Sequence, residues 1–191
     1  MPRPAKMIMI IGANRTGKTT LLKNILAMSG QRALVVTPDF TEWNDKDLNG
    51  NDKYPLNELK TRDDYVFDGI QRHVFDEKHT LAALTAFKKG IIVLDDCRKY
   101  LMDDRTAQQI HGIMIRRGQR EVDFIAVTHS FSEMPRRFFP FTSDIFLFQT
   151  KDNLDVRRGV VQNIDDLKQK QAYVNQQARI NKHFYIHIKY E

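Results

Sequence analysis

One segment near the start constrains this chain more than any other. Gly12-Ala13-Asn14-Arg15-Thr16-Gly17-Lys18-Thr19 fits G-x-x-x-x-G-K-[ST]. It follows the continuous apolar run "MIMII", which has the character of a strand buried on both faces. It precedes "TTLLKNILAM", where Leu21, Leu22, Ile25 and Leu26 share one helical face and Ser29-Gly30 supplies a stop. In that setting the glycines let consecutive backbone N–H groups turn toward phosphate oxygens, and the helix adds its positive end. The segment through Thr20 is therefore expected to bind the phosphates of a nucleotide. Lys18 would reach the β and γ phosphates, and Thr19 would offer its hydroxyl to Mg²⁺. A plain glycine-rich turn explains neither the lysine nor the hydroxyl.

Such a cradle needs a second strand that ends in an acid, and "IIVLDD" supplies Asp95 as the metal-side carboxylate beside Thr19. Asp96 is then a candidate for orienting or deprotonating water, with a turn cap as its alternative role. Phosphate-loop proteins divide by whether a further strand lies between these two. "VDFIAVTHS" sits one helix after the acid strand and suits that place. His129 would then sense the γ-phosphate, with Thr128 and Ser130 as second candidates; a purely structural His129 is the alternative. Ser130 lacks the flanking glycines of a nucleophile elbow, and no H-E-x-x-H or C-x-x-C accompanies His129. His183 and His187 are expected to be surface residues.

Elsewhere, apolar runs alternate with helical patterns. "RALVVTP" and "DIFLFQ" read as strands, and "TLAALTAFKKG" as a helix capped by Thr80 and ended by Gly90. Asp103-Asp104 would cap a helix through "RTAQQIHGIMIRRG". Residues 41–79 are polar and offer only "YVF" as a modest strand candidate. The tail from about residue 151 holds one helix and an edge strand, "HFYIHIKY". The expected fold is α/β: a RecA-like phosphate-loop domain over residues 1–191, with a mainly parallel sheet, helices on both faces and a core at about 7–150. Hydrophobic residues at 41% and charged ones at 28% suit a globular chain, and no apolar run is long enough to span a bilayer. The N-terminal run lacks an export cleavage site, so an intracellular protein is expected. Cys97 stands alone and reads as a buried filler. The net charge of +6 favours a polyanionic partner.

"GANRTGKT", "IIVLDD", "RRGQREVDFIAVTHSFSEMP" and "DIFLFQT", in that order, resemble the FtsK–HerA class of motor ATPases. The resemblance is nearest to genome-packaging ATPases of membrane-containing phages and related viruses, with zonula occludens toxin-like proteins close by. It covers residues 7 to 150. It implies ATP and Mg²⁺ as cofactors, double-stranded DNA as partner, and a homo-oligomeric ring, commonly hexameric. It also implies contacts with capsid portal or packaging proteins, and a place in the host cytoplasm or the virion. A neighbouring subunit would supply an arginine finger: Arg116, Arg117 and Arg120 are candidates, then Arg136 and Arg137. The bland alternative makes these arginines a solvated face or DNA-phosphate contacts. Asp96 departs from the glutamate common at its position in such motors. Residues 44–62 and the basic tail are both candidates to face DNA. Two other functions fit the phosphate loop: a small kinase acting on a nucleotide or similar metabolite, and a nucleotide-dependent assembly module.

Overall fold

A computed structural model describes residues 4–161 and 163–190. Seven strands form a single sheet in the order β3-β2-β4-β5-β1-β6-β7. These are β1 (Met7–Ile11), β2 (Ala33–Thr37), β3 (Ile70–Val74), β4 (Gly90–Leu94), β5 (Val122–Thr128), β6 (Asp144–Phe148) and β7 (Tyr185–Lys189). All neighbours run parallel except β7, which closes one edge antiparallel to β6. The apolar runs form the middle of the sheet because a parallel strand is covered on both sides; β2, β4 and β5 are buried at every position.

Alternate residues of each strand feed two cores. Ile10, Val35, Val93 and Val127 face α1 (Lys18–Ser29), where Leu22 and Leu26 are buried, each contributing about 1.5–3 kcal/mol. The loop after β2 covers the rest of this face with Trp43 and Tyr54. Met9, Leu34, Leu94 and Ala126 face the opposite core with α2 (Glu77–Ala86), α3 (Arg98–Leu101), α4 (Asp104–Ile115) and α6 (Ile164–Gln177). A one-turn helix, α5 (Arg117–Arg120), links α4 to β5. The α/β expectation holds, with helices on both faces as the alternating pattern predicts.

Several local expectations need correction. Asp76, not Thr80, caps α2, accepting from the N–H of His79. Thr80 lies inside the helix with its hydroxyl against His73. Gly90 opens β4 rather than ending a helix, because α2 stops at Ala86 and the chain turns through Phe87. "YVF" forms no strand: Asp63–Tyr65 is a 3-10 turn and Val66 is exposed. The expected edge strand in "HFYIHIKY" is β7, and the strand of the 41–79 region is "IQRHV" (β3) at the other edge, which alternation did not signal because Arg72 and His73 are buried polar residues. Asp103 caps α4 as expected, accepting from Thr106 at 2.6 Å.

Candidate nucleotide site

The chain enters the phosphate loop from β1 between two strands that hold it: Gly12 N–H donates to Thr128 O and Ala13 N–H to Gln149 O. The approach is so close that a Cβ on Gly12 would stand 2.4 Å from the Phe148 Cβ. Gly17 sits at φ +101, in the left-handed region, immediately before α1. Arg15 also has positive φ, at +60.

Lys18 is buried beneath the loop. Its ammonium donates to Gly12 O at 2.6 Å and Ala13 O at 2.9 Å, and lies 3.2 Å from His129 Nδ1. Burial pushes its pKa down, and Asp95, Asp96 and Glu133 pull against that. The adjacent cleft, about 420 Å³, is lined among others by Asn14, Thr19, Glu42, Asp95 and His129. Thr20, the next residue of α1, is exposed.

Strand order brings the remaining parts together. β5 lies between β1 and β4, so the ends of the lysine loop, the acid strand and "THS" are neighbours in space. His129 bridges the two flanks: its Nδ1 faces Lys18 and its Nε2 is 3.3 Å from Asp96 Oδ1. That second contact is in ion-pair range but off the line of a good hydrogen bond. The Asp96 carboxyl is held below its ordinary pKa, chiefly by this contact. Its backbone is left-handed, φ +40, an uncommon conformation that Asp tolerates better than most residues. Thr128 and the His129 N–H both donate to Glu133, which in turn is 3.0 Å from Arg98. Ser130 bonds Ser132 and points away from this network.

Asp95 is almost wholly buried, which raises its pKa, while the indole N–H of Trp43 donates to its Oδ2 at 2.6 Å. Trp43 and Glu42 were not among the expected site residues. Trp43 has φ +59, costly for a bulky side chain. A buried guanidinium holds the loop there: Arg72 donates to Phe40 O, Glu42 O and Tyr54 O. The Glu42 carboxylate is oriented by the Thr37 hydroxyl at 2.8 Å and makes no ion pair among the described residues. No periodicity marks a polar loop as functional; the signal available was a lone tryptophan between β2 and β3.

The arginines lie elsewhere. Arg116, Arg117 and Arg120 stand at the opposite end of β5, roughly 20 Å away along the strand. Arg117 donates to Ala5 O and Met114 O, and Arg120 to Thr85 O; Arg116 is exposed. Arg137 is 3.4 Å from Asp104, and Arg136 is exposed. None reaches the cleft of its own chain. Cys97 is buried with its thiol pKa pushed up, an inert filler. His187 is exposed, as expected of a surface residue, and its Nε2 lies 2.7 Å from the buried Asp144. His183 is exposed, yet its Nδ1 lies 3.2 Å from Thr16 O in the phosphate loop.

The architecture is an α/β, RecA-like fold. Solved structures sharing it include B204, the DNA-packaging ATPase of Sulfolobus turreted icosahedral virus, with a TM-score of 0.60 and 14% identity, covering 99% of this chain and 94% of that one. The genome packaging NTPase B204 of Sulfolobus turreted icosahedral virus 2, in complex with ATPγS, matches with a TM-score of 0.55 and 11% identity over 98% and 93%. These neighbours are of the packaging class that the motifs resemble, and at such identities the likeness establishes the fold. No protein-family model and no curated protein sequence matches the chain. Among the described residues no helix is long and apolar enough to cross a membrane.

Proposed function

We propose that this chain is an ATP-hydrolysing, double-stranded DNA translocase that packages a viral genome as a homo-oligomeric ring. One observation carries the reading: the inserted β5 is followed at once by His129, which touches both Lys18 and Asp96. A kinase has no evident use for a side chain joining the phosphate-side lysine to the acid strand. A motor must convert the presence or loss of a phosphate into movement, and a residue sharing contacts with both flanks can do so.

In this reading residues 12–20 cradle the ATP phosphates and Lys18 leaves its loop carbonyls for the terminal ones. Thr19 and Asp95 are hard oxygen donors on one cleft, a set that fits Mg²⁺, which binds through one or two protein oxygens together with phosphates. The ion would neutralise phosphate charge. Trp43 fixes the orientation of Asp95 through its 2.6 Å hydrogen bond. Asp96 is held by His129 and belongs to the sensor. Glu42, free of cations and facing the same cleft, is better placed to take the proton of the attacking water. An arginine from the neighbouring subunit, from the 116–120 or 136–137 group, completes the site.

The test is ATPase rate with and without double-stranded DNA across a protein concentration series. DNA stimulation that rises with oligomerisation is expected. Phosphate release indifferent to DNA, together with transfer to a nucleoside acceptor, would overturn the translocase reading in favour of a kinase.

A further inference from the structure

The phosphate end of the site is built on the β5 side of β1, by Lys18, Asp95 and His129. A nucleotide with its terminal phosphate there extends past Gly17 and Thr20 toward β6 and β7. On that side His183, on the turn leading into β7, lies against Gly17. A Cβ built on Gly17 would be 3.1 Å from His183 Nδ1 and 3.7 Å from Phe148 Cε1, so loop, imidazole and phenyl ring meet at one point. Tyr185 is 40% exposed beside them, its ring 5.0 Å from Phe148 and 6.0 Å from Phe146. An imidazole and a phenol thus stand exposed at the mouth of a phosphate cradle, each anchored from behind.

The anchoring of His183 has a chemical consequence. A carbonyl can only accept, so the contact with Thr16 O places the proton of neutral His183 on Nδ1. Nε2 is left as an acceptor. The exocyclic amino group of adenine can donate to it, whereas the carbonyl of guanine at the same place cannot. We infer that the base of the nucleotide lies against His183 and Tyr185, and that this corner selects adenine over guanine. The inference rests on the nucleotide-binding reading above.

Calorimetric titration with ATP, GTP and inorganic tripolyphosphate, each with Mg²⁺, separates the two. Tripolyphosphate carries no base, so its failure to bind the unaltered protein would overturn the phosphate-loop reading itself. If the base site is as inferred, His183→Ala weakens ATP about tenfold and narrows the preference over GTP, while tripolyphosphate stays within about twofold. Tyr185→Ala, at a ring that packs on Phe146 and Phe148, weakens both purine nucleotides and spares tripolyphosphate. Equal loss of ATP and tripolyphosphate in His183→Ala would make His183 a mere prop for Thr16 and overturn the assignment. So would ATP affinity unchanged in both variants.

Discussion

Glu42 and Asp96 share a cleft, but their surroundings divide the work between them. Asp96 has an imidazole neighbour and a depressed pKa, while the Glu42 carboxylate has the Thr37 hydroxyl. Glu42→Gln is expected to lower ATP turnover by a hundredfold or more while ATP binding is retained, measured by single-turnover kinetics and titration. Asp96→Asn and His129→Ala touch one contact, so their effects on DNA-stimulated turnover are expected to be non-additive; strict additivity would separate them. Gly12→Ala meets the Phe148 backbone and side chain and is expected to lose several kcal/mol of stability along with nucleotide binding, read by thermal melting. At this scale much was legible. Lys18, Thr19, Asp95 and His129 announce themselves by type and spacing. Glu42 and Trp43 do not, because their position depends on Arg72, thirty residues further along and itself disguised in a polar strand.

At the scale of elements, β3 and its partners show how polar residues can build a sheet edge. His73 is buried with Nδ1 against Asn57 O and Nε2 against the Thr80 hydroxyl, both at 2.8 Å, while Thr80 accepts from the Asp76 N–H. In the neutral ring Nδ1–H donates to Asn57 O and Nε2 accepts from the Thr80 hydroxyl, and burial holds the His73 pKa below its usual value. A histidine with a lowered folded-state pKa takes up its proton more readily when unfolded. Its stabilising contribution is therefore complete above about pH 6.5 and declines as pH falls below that, by at most about 1.4 kcal/mol per pH unit. Denaturant melts from pH 7.5 to 5 should show the decline, and His73→Gln should flatten it. The central strands were legible because burial on both faces leaves a continuous apolar run. β3 was not, because its inward side is paid for with hydrogen bonds instead of apolar area. "YVF" misled for the opposite reason: Val66 is apolar but has no partner surface.

For the whole molecule, the excess of positive charge and the distance of the arginines from the cleft both point outward. An arginine that serves a neighbour must be free in its own chain. Arg116 is exposed and has no side-chain partner among the described residues, while Arg117 and Arg120 donate to carbonyls of their own fold. Arg116→Ala subunits mixed with Lys18→Ala subunits are expected to recover ATPase activity that neither has alone, and Arg117→Ala to lower the melting temperature first. No recovery at any ratio would remove Arg116 from the role.

The position of β5 also governs how the chain can reach this state. Among the described residues β1 pairs with β5 and β6 alone, so it finds neither neighbour until residues beyond Val122 exist. β2, β3 and β4 can pair among themselves much earlier. The sheet must therefore grow from one flank and wait for its centre, a high-contact-order route that folds slowly. On a ribosome the phosphate loop emerges well before β5 and β6, yet it takes shape only after them. The proposed grip on a nucleotide must therefore wait until β5 and β6 have emerged.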